Sequence, residues 1–302
     1  MNEPITKHGS GALSTGPARK LRFSLAGKHG IVILPFLLVL LLFVIISFFP
    51  GWFAKHDPTY TDLALRLKAP GYVSADGAAY IWGTDELGRD IYSRVIHGAR
   101  VSLIVAVSAV LVSGVLGGFL GMMAGYYRGA VGAVIMRLAD MLMSIPFLLL
   151  AILTVAVLGP KLINLIIVLG IVRWPRYARV AYSTTLAAVN RDYVKAAEAL
   201  GARPTRLLFL HILPELIPPL IVVATLEVGL MILFEASLSF IGLGVQPPNP
   251  SWGSMMSTGQ HYAASAWWIA TFPGLAIFLV VLSFNTIGDY IRDRLDPKHK
   301  SR

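Results

Sequence analysis

The chain has 302 residues, of which 56% are hydrophobic and only 14% charged, and it carries a net charge of +10. A water-soluble domain has about 25% charged residues, so this chain lacks the ionic surface that water requires. With a mean hydropathy of +0.68 it reads as an all-α polytopic membrane protein. Disordered, collagenous and disulfide-stapled classes are excluded, and the absence of cysteine also removes thiol catalysis and thiolate metal sites.

Residues 1–28 are rich in Gly, Ser, Thr and Pro and read as a polar tail. This is no secretory signal: about thirty polar residues precede the first apolar run, and no small-residue cleavage site follows Phe49. A spanning helix needs about 20 apolar residues. Residues 29–53 supply the first, and 54–100 form a polar loop on the far side. That loop carries Gly-Thr-Asp-Glu-Leu-Gly-Arg-Asp at 83–90, where Thr84, Asp85 and Asp90 are available as helix N-caps. Its carboxylates with Arg89 and His97 make no metal site, because no helical pair of the H-E-x-x-H kind occurs in the chain.

Residues 101–288 hold five further spans. Arg100 and Arg128 bracket 27 uncharged residues, in which Gly114/Gly118, Gly117/Gly121 and Gly121/Gly125 are overlapping small-xxx-small pairs. Such pairs serve packing within a chain or against a partner subunit. A third run covers 141–160, broken from the next by Lys161. The fourth, 162–172, is too short alone; continued past Arg173, it puts Arg173, Arg176 and Arg179 close to one face, from which they snorkel to headgroups. Trp174 and Tyr177 then fit an interfacial aromatic belt. The fifth run, 216–244, contains Glu227 and Glu235, and the sixth covers 267–288. Between them lies a loop stiffened by Pro247, Pro248 and Pro250. Residues 289–302 form a C-terminal tail.

Six spans put both termini on one side, and 19 of the 26 basic residues fall on that side. Basic excess marks the cytoplasmic face, so both termini are expected to be cytoplasmic. The positive charge then needs membrane lipid and a docked partner, not nucleic acid. Intramembrane carboxylates mark function by default. Glu227 and Glu235 differ by about 80° around a helix, and structural hydrogen bonding, a pathway lining and proton coupling all stay open for them.

The loop 190–214 is the most informative. Asn190 or Asp192 can cap a helix on which Tyr193, Ala196, Ala197 and Leu200 share one face, while Gly201 and Pro204 end it. An alanine face is a poor membrane anchor, since each buried CH₂ contributes only about 0.8 kcal/mol; a protein partner suits it better.

Lys195-Ala196-Ala197, Gly201 and Leu213-Pro214 resemble the E-A-A-x₃-G-x₉-I-x-L-P loop of permease subunits in binding-protein-dependent ATP-binding-cassette importers, with Lys195 at the Glu position and His211 at the Ile position. The 83–90 motif, E-A-S-L-S-F-I-G-L-G-V-Q-P-P-N-P-S-W-G at 235–253 and F-N-T-I-G-D-Y-I-R-D-R-L-D-P-K at 284–298 are similar to the dipeptide/oligopeptide/nickel branch, above all its "C"-type permease. The resemblance covers roughly 28–298. It implies a type I importer permease fold and a heterodimer with a second permease, served by two cytoplasmic ATPases and an extracytoplasmic binding protein. It implies docking of the ATPase on Tyr193, Lys195, Ala196, Ala197, Leu200 and Gly201, with Arg203 and Arg206 beside them. The chain has no G-x₄-G-K-[ST] phosphate loop, so ATP and magnesium belong to the partners and no cofactor or catalytic residue is expected here. The competing expectation is a proton-coupled carrier using Glu227 and Glu235.

Overall fold

The computed structural model describes residues 28–295. Most of the predicted N-terminal tail and the last residues of the C-terminal one lie outside them. The elements are α1 (Lys28–Phe48), α2 (Pro50–Phe53), α3 (Ile91–Tyr127), α4 (Gly129–Ser144), α5 (Phe147–Leu158), α6 (Leu162–Val189), α7 (Asp192–Ala199), α8 (Pro204–Phe240), α9 (Trp252–His261) and α10 (Trp268–Leu295). The all-α expectation is departed from once, by a two-stranded antiparallel hairpin of β1 (Tyr72–Val73) and β2 (Ala79–Tyr80).

Three helices are long and apolar enough to cross a bilayer unaided: α3, α8 and α10. The third predicted span needs correction. Instead of one helix over 141–160, α4 and α5 meet at a 91° bend. Pro146 disfavours helical geometry in the residue before it, and Ile145 is extended (φ −89°, ψ 131°). At 12 residues, α5 is about 18 Å long and too short to span alone. By contrast, α6 continues through Arg173 and Pro175 as a single helix of 28 residues.

Glycine contacts set the topology. Along α3, Gly117 faces Trp174 and Tyr177, Gly121 faces Ala178 and Ala181, and Gly125 faces Thr185, so α3 and α6 run parallel. Gly118 meets Leu220 while Ser102 reaches Glu235, which makes α8 antiparallel to α3. Gly229 on α8 packs on Asn285, and Gly288 on Leu226, so α10 reverses again. Loop 54–90 therefore sits at one end of the bundle, and α7 sits at the other.

The glycine pairs pack within the chain. A Cβ on Gly117 would lie 2.2 Å from the Trp174 carbonyl oxygen, and one on Gly121 2.2 Å from that of Ala178. Backbone meets backbone there, and neither can yield by a rotamer change. Gly121→Val is expected to force α3 from α6 and cost at least about 1–3 kcal/mol, read as a lower melting temperature of the purified protein in detergent. An unchanged melting temperature would refute this packing.

The 83–90 motif folds the loop beneath the bundle. Asp90 is the N-cap of α3, its carboxylate accepting from the Ser93 amide at 2.9 Å and hydroxyl at 2.6 Å. Asp85 accepts from Arg89 Nε at 2.6 Å and lies 3.5 Å from Arg94, and the buried Thr84 carbonyl accepts from Trp268 on α10 at 3.0 Å. Gly88, at φ +76°, approaches the Asp62 carbonyl so closely that a Cβ would lie 1.8 Å from it. Burial and its neighbour Asp85 hold the Glu86 carboxyl above its ordinary range. Each motif residue has an internal role, and helix α3 consequently begins at Ile91.

Candidate functional site

The α7 end presents a short helix on a stiff mount. Arg191, in extended conformation, precedes α7 as its N-cap residue, with no side-chain capping bond from Asn190 or Asp192. Val194 is its anchor, only 1% exposed, and sequence periodicity missed it because it stands alone on its face. The Tyr193 hydroxyl donates to the Glu215 carboxylate in the N-terminal third of α8, and Arg191 Nε lies 3.3 Å from the same group. Desolvation and that bond push the tyrosine up to about 12, so it stays a donor at neutral pH. The C-terminus closes as a Schellman motif: Gly201 at φ +81° donates to the Glu198 carbonyl at 2.9 Å, and Ala202 to that of Ala197 at 3.1 Å.

The opposite face of α7 is open. Leu200 is 89% exposed, Tyr193, Lys195 and Ala196 are exposed, and Ala197 is half-buried. Arg203, just before α8, and Arg206, in its first turn, are exposed. A π-helical widening at Leu207–Ile212 follows within α8. Of the eight residues singled out in sequence, seven are exposed and Ala197 is half-buried.

The second cluster lies in the middle of the bundle. Glu227 on α8 is wholly buried, and α6 brings two arginines to it. Arg173 Nη2 donates to Oε1 at 2.7 Å and Oε2 at 2.9 Å, while its Nε donates to Oε2 at 3.0 Å. Arg176 Nε lies 3.0 Å from Oε1. The Arg173 guanidinium also sits 5.5 Å from the ring centres of both Phe147 and Phe234. Snorkelling to headgroups is therefore corrected for both arginines, and Arg179 pairs instead with Asp140 on α4. Trp174 and Tyr177 are buried, at 7% and 1% exposure, and form no interfacial belt. The available signal was depth: Arg173 lies about 17 Å along α6, too far in to reach either surface easily.

Glu235 serves another purpose. It is wholly buried and accepts from the hydroxyls of Ser102 on α3 and Ser239 on α8, each at 2.7 Å. Ser239 in turn accepts from the Val245 amide, which ties the loop after α8 into the bundle. Gly253 of α9 comes within 2.4 Å, at its virtual Cβ, of the Ala236 carbonyl oxygen. Glu227 and Glu235 thus belong to two separate networks, and no observation supports the carrier reading that linked them. Among the described residues, no three His, Asp or Glu side chains gather as a metal site.

Residues 117–301 match the family described as "Binding-protein-dependent transport system inner membrane component". The chain is 45% identical over 265 residues to the di/tripeptide transport system permease protein DppC of Pseudomonas aeruginosa, covering 88% of each. It is 42% identical over 279 residues to the probable D,D-dipeptide transport system permease protein DdpC of Escherichia coli, covering 92% of this chain and 91% of that one. Among solved structures, the inward-facing MetNI methionine ABC transporter superposes with a TM-score of 0.54 at 17% identity, over 67% of this chain and 96% of that one. The last likeness concerns the fold.

Proposed function

This chain belongs to the family of inner membrane components of binding-protein-dependent transport systems, and from that membership we propose that it imports short peptides as one half of a permease pair. It is a multi-pass permease subunit of an ATP-binding-cassette importer, not itself an enzyme. The observation that carries the peptide assignment is the 45% identity with a di/tripeptide permease, sustained over 88% of both chains.

In this reading the complex holds a second, related permease, two cytoplasmic ATPases that bind ATP and magnesium, and an extracytoplasmic binding protein. The chain crosses the membrane six times: α1, α3, the bent α4–α5 pair, α6, α8 and α10. Both termini and the 190–214 loop are cytoplasmic, 54–100 faces outward, and lipid covers the bundle's outer surface. ATPase closure pushes on α7 through Tyr193, Lys195, Ala196, Ala197, Leu200 and Gly201, with Arg203 and Arg206 flanking. The push passes to α8 through the Tyr193–Glu215 and Arg191–Glu215 contacts. Since α8 also carries Glu227 and Glu235, one long helix connects the docking surface with both buried networks.

Purified with its partners in proteoliposomes, the complex is expected to take up a dipeptide only when ATP and a loaded binding protein are supplied on opposite sides. Uptake driven by a proton gradient without ATP would overturn the reading. Reporter fusions are expected to place Ala75 outside and Leu200 inside; the reverse would overturn the orientation.

A further inference from the structure

The buried ion cluster has one side that is not closed. Arg176 remains 48% exposed although it lies about 21 Å along α6, and the hydrocarbon core is about 30 Å thick. An arginine facing lipid at that depth is costly, whereas one facing water or a bound anion is not. Two guanidinium groups share one carboxylate, so the cluster has one positive charge in excess, and no other carboxylate among the described residues pairs with Arg173 or Arg176.

The bent helices give an independent indication. Ser144, Ile145 and Pro146, at the 91° elbow between α4 and α5, are exposed, and the next residue, Phe147, lies with its ring 5.5 Å from Arg173. The elbow and the cluster are therefore at one depth. Non-helical backbone at that depth is tolerated only when covered by protein or facing a water-filled cavity. Both the elbow and Arg176 thus belong to a surface that is not exposed to lipid.

We propose that Arg176, held by Glu227 and backed by Arg173, is the transit site for the terminal carboxylate of a peptide crossing the membrane. The proposal rests on the peptide-permease reading above. Glu227 is wholly buried, so a solute meets only the guanidinium edge, which recognises a carboxylate through paired N–H donors and repels an ammonium. Glu227 also offsets one of the two positive charges, which keeps binding weak enough for release, as conduction requires. Phe147 and Phe234 beside Arg173 give an apolar wall that limits water around the pair.

The test exploits the absence of cysteine from this chain. In the intact complex, Arg176→Cys should be modified by a membrane-impermeant sulfonated thiol reagent in either the resting or the vanadate-trapped state, relative to labelling after denaturation. Arg176→Gln should assemble with the ATPases at wild-type yield yet take up dipeptide at least tenfold more slowly, with Arg176→Lys recovering most of the rate. A thiol unreactive in both states overturns the proposal. So does Arg176→Gln uptake within twofold of wild type, or an Arg176→Gln complex that falls apart, which would make Arg176 a contact with the second permease. These outcomes leave the peptide-permease reading standing; only a wild-type complex that fails to import peptide removes both.

Discussion

Replacing Glu227 by leucine is expected to remove most of the folded protein from the membrane. The substitution leaves Arg173 and Arg176 facing each other in the bundle without their shared carboxylate. Losing one partner of a buried pair costs about 3–5 kcal/mol, a large fraction of the stability of a typical fold. The combined Arg173→Leu and Glu227→Leu change is expected to recover much of that loss. It removes both buried charges, leaving Arg176, already half exposed, to turn toward water. The measurement is the yield of monodisperse protein on size exclusion, with its melting temperature. If Glu227→Leu matched the wild type in both, the ion cluster would hold nothing together. A double variant no better than the single one would mean that packing around the carboxylate, and not its charge, is what matters.

The second large effect concerns α7. Leu200→Asp is expected to abolish co-purification of the ATPase subunits, lowering their recovery at least tenfold, while the chain still inserts and keeps its melting temperature. Leu200 is 89% exposed and touches little in its own chain, so its replacement tests docking rather than folding. A few buried apolar contacts usually dominate such an interface. The paired Ala196→Asp and Ala197→Asp change should act alike, placing two charges on the small-residue face. Gly201→Val reaches the same result differently: at φ +81° a β-branched residue is strained, and the Schellman closure of α7 opens. Full ATPase recovery with Leu200→Asp would place the docking surface elsewhere.

The periodic and punctuated parts of this fold were legible in sequence. Long apolar runs located α3, α8 and α10, because a bilayer imposes length on any helix that crosses it. The end of α7 was equally plain, since only glycine takes a left-handed residue without strain before Pro204. The elbow at Pro146 was missed because hydropathy averages across a proline. The 83–90 motif showed its caps but not its mates: Asp90 caps α3 locally, whereas Thr84 meets Trp268 across 184 residues.

The sequence alone determined that this is a membrane protein with a separate short helix between two spans, because hydropathy, helix capping and glycine geometry act over a few neighbouring residues. It also made the intramembrane carboxylates conspicuous. Only the tertiary structure decided what they do. Glu227 lies 54 residues from Arg173, and Glu235 lies 133 residues from Ser102. Whether a buried charge is neutralised, hydrogen-bonded or left open depends on which helix packs beside it. That choice is made by close contacts such as Gly117 on Trp174, to which local pattern is blind.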